Sequence, residues 1–362
     1  MYGKKEARMT KGLAILCMLT LHLFCRKGAD VYGTPLIWLN DTTPLVYYFG
    51  FFAEICVPLY TLCTGYAQQL LYKAGGQQWK GNLRRIWRLM LNYWVILVLF
   101  SMLGLLFPSD GSMPGTLAKF LKSIVLLYSY NGAWWYLDTY IIMMLIPPIV
   151  LLLPVRKCSA GIGLICCLII QFAYYISAKF GFWPEAPFSQ AALAFIWNQL
   201  DNLVRVLPYF WAGAFLCKGD IIEKAGVLLD RHAPNHKKLT LLSAFAGLFI
   251  GICALHQAIL MPAVAVMVFL LFNLWKKGVF AEKIFMFLGK HSTNIWLTHM
   301  FFYLRLFPGT VQKAKYPLFM LLLLIGMSIG ASFCINAVLL FLKACFRNIR
   351  LRYYSSDGSL SG

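Results

Sequence analysis

Among the ionisable side chains that fall inside apolar runs of this chain, six stand out: His22, Glu54, Asp138, Asp201, Arg205 and His299. Such groups are costly away from water, so each is a candidate site by default. His22 is the sharpest. An imidazole titrates near neutrality and can accept a proton from a hydroxyl; the plain alternative is a packed histidine hydrogen-bonded to a neighbouring helix. Lys11 stands eleven residues before it. On a helix that separation is three turns plus ~20°, so both side chains share one face with a rise of ~16 Å between them. Glu54 and Asp138 each precede basic residues, Lys73 and Arg156, by a helical rise of ~27 Å or more. Both acids are therefore expected near the mouth opposite Lys11, either orienting a reactant or simply solvated. Asp201 and Arg205 are spaced i, i+4 with the acid first, the favourable order for a helical ion pair; a polar site for a sugar is the sharper reading. His299 lies nine residues beyond Lys290, and is either catalytic support or a packing residue.

Arg84, Arg85 and Arg88 open another apolar run. Arginine grips phosphate bidentately, although lipid headgroups and topology alone suffice for such a cluster. Trp134 and Trp135 fit an interfacial aromatic belt. His232 and His236, in a polar stretch, read as solvated and not as a metal site. Eleven cysteines without a CxxC pair read as small buried hydrophobes. No metal and no tightly bound cofactor is expected.

These residues need elements that hold them in lipid. The chain has 362 residues, of which 60% are hydrophobic and 13% charged, with a mean hydropathy of +0.69. A soluble domain of this length needs more surface charge. The net charge of +20 does not indicate a nucleic-acid partner, because the basic residues form short clusters between apolar runs, not one stripe with interleaved aromatics. The runs are roughly Gly12–Cys25, Tyr47–Leu71, Leu89–Phe107, Trp134–Leu153, Gly161–Ala178, Asn198–Cys217, Leu239–Leu255, Ala258–Leu274, Ile284–Leu306 and Leu318–Leu342. Several reach the ~20 residues that cross a bilayer. Leu117–Tyr130, with Lys119 and Lys122, reads as an interfacial helix. The expectation is an all-α, polytopic integral membrane bundle of about ten transmembrane helices.

Charge sets its orientation. With the N-terminus inside, about three of every four Lys and Arg residues fall in cytoplasmic segments, and Arg26, Lys27, Lys119, Lys122, Lys179, Arg305, Lys313 and Lys315 fall outside. Both termini are then cytoplasmic. The first run follows basic residues as a signal peptide does, but it lacks a convincing cleavage site and is expected to be a retained helix. Residues 1–345 read as one membrane domain and 346–362 as a disordered cytoplasmic tail. No repeat at a fixed period is present.

Several segments resemble one family. Lys11-Gly12-Leu13-Ala14-Ile15 followed by Leu21-His22 is similar to the first helix of the acyltransferase-3 family of membrane acyltransferases. Val57-Pro58-Leu59-Tyr60 with Thr64-Gly65-Tyr66 resembles its second helix, Arg84-Arg85-Ile86-Trp87-Arg88-Leu89 its third, and Ala133-Trp134-Trp135-Tyr136-Leu137 the entry to its fourth. Tyr209-Phe210-Trp211-Ala212-Gly213, and Leu288-Gly289-Lys290-His291-Ser292 through Ile295-Trp296-Leu297-Thr298-His299, resemble later segments in the same order. Lys11 departs from the arginine common there, which replaces a bidentate fork by a point charge. Tyr60, Thr64 and Trp296 are milder departures.

The resemblance implies transfer of an acyl group, usually acetyl, from cytoplasmic acyl-CoA to a hydroxyl of a cell-surface glycan or its lipid-linked precursor, in a bacterial inner membrane. His22 would be the general base, with Glu54 orienting it or the acceptor. Lys11, Arg84, Arg85 and Arg88 would hold CoA phosphates, and Asp138, Asp201, Arg205 and His299 would serve the acceptor side or support the base. The partners are then acyl-CoA, a glycan acceptor and the bilayer. A transporter or flippase for a polar metabolite or glycan would use the same groups as a relay, and a membrane anchor would leave His22 replaceable.

Overall fold

In lipid every backbone N–H and C=O must find its partner within the protein, which favours helices along apolar runs. In the computed structural model, which describes residues 2–26, 31–76, 79–107, 113–182, 190–307 and 309–357, those runs are helical and no strand occurs among the described residues. Lys27 and residues 358–362 lie outside them. The helices are α1 (Lys4–Phe24), α2 (Leu45–Phe52), α3 (Cys56–Lys73), α4 (Trp79–Leu106), α5 (Leu117–Ile124), α6 (Trp135–Leu145), α7 (Pro148–Leu151), α8 (Leu153–Lys157), α9 (Ala160–Lys179), α10 (Ala191–Lys218), α11 (Ile221–His232), α12 (Lys237–Leu255), α13 (Met261–Leu274), α14 (Val279–Met300) and α15 (Pro317–Asp357).

Among the described residues, six spans are long and apolar enough to cross a membrane: Lys4–Phe24, Leu45–Lys73, Trp79–Leu106, Ala160–Lys179, Lys237–Leu255 and Pro317–Cys345. Of the other expected runs, Asn198–Cys217 lies within the continuous α10 and Ile284–Leu306 spans most of α14 and the turn after it, while two are broken. Trp134–Leu153 is divided into α6, α7 and α8, because Pro147 and Pro148 withhold amide donors and push the preceding residues out of the helical region. The run over Ala258–Leu274 is a 3-10 turn followed by a 14-residue helix. Leu117–Tyr130 contains the amphipathic α5, whose first turn Thr116 caps by accepting from the Lys119 N–H. The last helix is continuous to Asp357, through residues that composition assigned to a disordered tail.

Two helix pairs form the frame. α1 packs along α14, and α3 packs along α10 and α1. Both pairs depend on reciprocal glycines. A Cβ on Gly12 would strike the Phe285 carbonyl and one on Gly289 the Arg8 carbonyl; a Cβ on Gly65 would strike Phe210 backbone and one on Gly213 the Leu62 carbonyl. Small residues at both crossing points let backbones touch, and between apolar helices close packing must replace the missing hydrophobic drive.

Contacts sort the chain into two ends. At one, Lys5 pairs with Glu282 (2.7 Å) and Lys73 with Asp220 (2.8 Å), while Lys218 donates to the Val155 and Cys158 carbonyls (2.7 Å each). At the other, the Tyr47 hydroxyl meets His256 (3.2 Å), and the Thr34 N–H donates to the Lys315 carbonyl (2.6 Å). All eleven cysteines are free thiols. Cys166 and Cys334 are exposed, unlike the buried places expected, on faces where an apolar solvent makes exposure cheap.

Candidate active site

α1 and α14 bring two histidines together. His22 Nδ1 lies 2.6 Å from His299 Nε2, and the rings meet edge to edge, with centroids 4.9 Å apart and 5° between planes. The partners fix the tautomers. His299 Nδ1 faces the carbonyls of Trp296 (2.8 Å) and Ile295 (3.1 Å), which only accept, so Nδ1 carries its proton. In the neutral ring Nε2 is then an acceptor and His22 Nδ1–H donates to it. The lone pair of His22 is left on Nε2, and His22 lines a cavity. His299 is wholly buried. A π-helical turn, Phe301–Arg305, follows directly, a distortion that often accompanies functional residues.

The last turn of α1 is held from behind. Arg26 donates to the His22 carbonyl through Nε (3.0 Å) and Nη2 (2.8 Å), and the Tyr303 hydroxyl donates to the same oxygen (3.3 Å). The Arg26 guanidinium lies 5.0 Å over the Tyr303 ring, and Tyr32 donates to the Arg26 carbonyl. A helix C-terminus leaves carbonyls without partners and attracts cations. Arg26 satisfies both demands beside His22.

The cavity at His22 has a volume of about 330 Å³ and also presents Glu54, Trp135, Tyr175, Arg205 and Tyr209. Glu54 sits on a 3-10 turn, Ala53–Ile55, between α2 and α3. Pro58 explains the break: it has no N–H for the Glu54 carbonyl four residues back. Pro208 lies within α10 in the same way, and the adjoining Arg205 carbonyl accepts from Gln171 Nε2 (2.8 Å). Glu54 and Arg205 line this same cavity.

Several expectations change here. The ring nitrogen of His22 is held by His299, not by Glu54 or Asp138. The i, i+4 ion pair of Asp201 with Arg205 is not among the salt bridges of the described residues. Instead Asp201 accepts from the Tyr174 hydroxyl (3.2 Å), and Arg205 lies 5.4 Å over the Trp135 ring. Asp138, half-buried on the first turn of α6, lines neither this cavity nor the next. Trp134 and Trp135 form no interfacial belt. Trp134 is buried and donates to the Leu297 carbonyl (3.0 Å), and Trp135 lines the cavity.

A second cleft, about 430 Å³, opens toward the basic end. Lys11, Arg85, Arg88 and Lys290 line it, from three helices; Arg84 does not. Deeper walls carry Tyr60, Asn92, Tyr136, Asn294, Trp296 and Asn336. Only a thin partition separates the two spaces. Val57 and Pro58 of α3 line the first and Tyr60 the second; on α6 the consecutive residues Trp135 and Tyr136 do the same. Tyr136 bonds Thr61 (2.9 Å) and Trp296 donates to the Ala133 carbonyl (2.9 Å) within that layer.

The arrangement offers a neutral base of fixed tautomer, a cation-lined cleft suited to phosphates, and a polar cavity suited to a hydroxylated molecule. Among the described residues no group of three His, Cys, Asp or Glu could hold a metal ion. Sequence reasoning passed over Lys290, Arg26 and Tyr303. Lys290 was visible as a basic residue of the run that carries His299. Arg26 and Tyr303 act through a backbone carbonyl, which leaves no signature in spacing.

A family model described as an acyltransferase domain matches residues 7–340, nearly the whole chain. No curated protein and no solved structure matches it.

Proposed function

The chain belongs to the acyltransferase-3 family of membrane acyltransferases, and from that premise we propose that it moves an acyl group, acetyl in the simplest case, from cytoplasmic acyl-CoA to a hydroxyl of a cell-surface glycan or its lipid-linked precursor. One observation carries this reading. His22, its tautomer fixed by His299, lines a cavity that also holds Glu54 and Arg205, and neighbouring residues of α3 and α6 line both that cavity and a cleft lined with cations.

In this account the phosphates of the donor lie against Lys11, Arg85, Arg88 and Lys290, with Arg84 at the rim adding long-range attraction. Glu54 and Arg205 hold the acceptor polyol, and Asp201 and Asp138 add polarity at the far side. The acceptor oxygen attacks the thioester carbonyl carbon as His22 Nε2 takes its proton. The C–S bond then breaks, sulfur leaves with the electron pair, and the His22 imidazolium returns the proton to it. The products are an ester and the free CoA thiol.

The account includes ten crossings of a bacterial inner membrane with both termini cytoplasmic. In its support, residues assigned inside by charge meet one another at the basic end: Lys5 with Glu282, and Lys73 with Asp220. Residues assigned outside meet at the far end, as Thr34 does with Lys315.

A carrier or flippase is the second reading, because cavities on either side of one thin partition also suit alternating access. The two are separated by supplying acetyl-labelled CoA to inverted vesicles that contain the protein and a lipid-linked glycan pool. The enzyme reading expects label in the glycan with matching release of CoA thiol. Glycan that crosses the bilayer unlabelled, with no thiol release, favours the carrier.

A further inference from the structure

The basic cleft changes chemistry with depth, and it does so on two helices in parallel. On α4, Arg85 and Arg88 are followed on the same stripe by Asn92, about 10 Å deeper than Arg85. On α14, Lys290 is followed by Asn294, about 6 Å deeper. Below the cations the walls therefore present neutral amides, in a region where a buried amide is costly unless it is bonded. Most of their groups are bonded, in one direction. Asn92 Nδ2 donates to Asn294 Oδ1 (2.6 Å), and Asn294 Nδ2 donates to Ser332 Oγ (2.9 Å) and Asn336 Oδ1 (3.4 Å). The first member is left incomplete. Asn92 is more than nine-tenths buried, and its Oδ1 has no donor. A buried carbonyl without a donor favours a ligand group that supplies one.

We propose that this amide row reads the arm of the donor, with Asn92 Oδ1 accepting an amide N–H of the pantetheine chain while the cations at the mouth hold the phosphates. The inference rests on acyl-CoA as donor. It follows from matched sequences of chemistry, since the ligand is anionic at its nucleotide end and carries amides along the arm that leads to the thioester. The arm then runs down the α4–α14 seam toward Trp296 and Tyr136, which form the partition below His22. Asn92 is a binding residue for the arm and touches no reacting atom.

The test compares ligands on the purified full chain by calorimetry: CoA, adenosine 3′,5′-bisphosphate, and the two CoA analogues in which each arm amide in turn is an ester, which replaces the N–H by an oxygen that cannot donate. The wild-type protein is expected to bind one ester analogue about tenfold more weakly than CoA. Asn92→Leu is expected to weaken CoA by a similar factor and to leave adenosine 3′,5′-bisphosphate unchanged, which also reports that the cleft is intact. Should that variant fail to fold, the wild-type ligand series decides alone. CoA and both ester analogues binding the wild-type protein equally would overturn the proposal and leave the donor assignment standing. A wild-type protein that binds neither CoA nor acetyl-CoA would remove the donor assignment and the proposal with it.

Discussion

His299 holds His22 without bringing a charge. In many histidine bases a carboxylate orients the ring and stabilises the imidazolium. A carboxylate here would add a second ionisable group to an apolar bundle, where each is expensive. A neutral imidazole, anchored by the Trp296 and Ile295 carbonyls, fixes the tautomer and, in the proposed mechanism, leaves the positive charge to arise only during transfer. His299→Ala should therefore lower the turnover rate by about 100-fold and leave the KM for acyl-CoA near its wild-type value. Steady-state kinetics at matched abundance checks this; an unchanged rate would reduce His299 to a packing residue. Of these residues His22 was legible in the sequence, because a histidine in an apolar run is conspicuous and its distance from Lys11 is helical arithmetic. The pairing with His299 was not, since it depends on α1 lying along α14, 277 positions apart in the chain. The expected bond between Asp201 and Arg205 failed for a related reason: Tyr174 and Trp135, on neighbouring helices, offer each charge another partner.

At the scale of elements, prolines shape the site and glycines close it. Pro58 loosens the turn that carries Glu54, and Pro208 lies one turn beyond Arg205. The frame around them is held where α3 meets α10 and α1 meets α14, at glycines with no room for a methyl group. Gly12, Gly65, Gly213 and Gly289 are all members of the segments that carry the family resemblance, so part of that resemblance is packing. The sign of one substitution separates packing from propensity. Gly247 on α12 faces open space, whereas a Cβ on Gly213 meets Leu62 backbone. Gly247→Ala should leave the melting temperature in detergent unchanged or raise it, because alanine favours helix by roughly 0.5–1 kcal/mol. Gly213→Ala should lower it, since overpacking costs about 1–3 kcal/mol. Equal shifts in one direction would mean that α3 and α10 do not touch there. Helix existence was readable from apolar runs, and the broken stretch from α6 to α8 could have been read from Pro147 and Pro148. Which helices pair was not readable, because lipid-facing and helix-facing surfaces are both apolar; the apolar character that locates a span does not orient it.

For the whole molecule, the gradient from cations at one end to Glu54 and His22 farther in would give the two substrates of the proposed reaction separate approaches. Charge alone predicted that Lys11 and the arginines near the start of α4 share one side, and the cleft collects Lys11, Arg85, Arg88 and Lys290. Single cysteines in a cysteine-free background test the sidedness. Asp41→Cys should react with an impermeant maleimide in intact cells, and Lys80→Cys only in inverted vesicles; the reverse pattern would place the cleft on the wrong face for a cytoplasmic donor. The central claim is that His22 takes the acceptor proton, and acyl transfer by the His22→Ala protein tests it most directly. Purified wild-type and variant chains, matched for melting temperature and for CoA affinity, would be given acetyl-labelled CoA and the lipid-linked glycan pool. Loss of transfer by at least about 100-fold in the variant, with donor binding intact, is the predicted result. Transfer at the wild-type rate by the variant would contradict the account, since the base would then have to be another group.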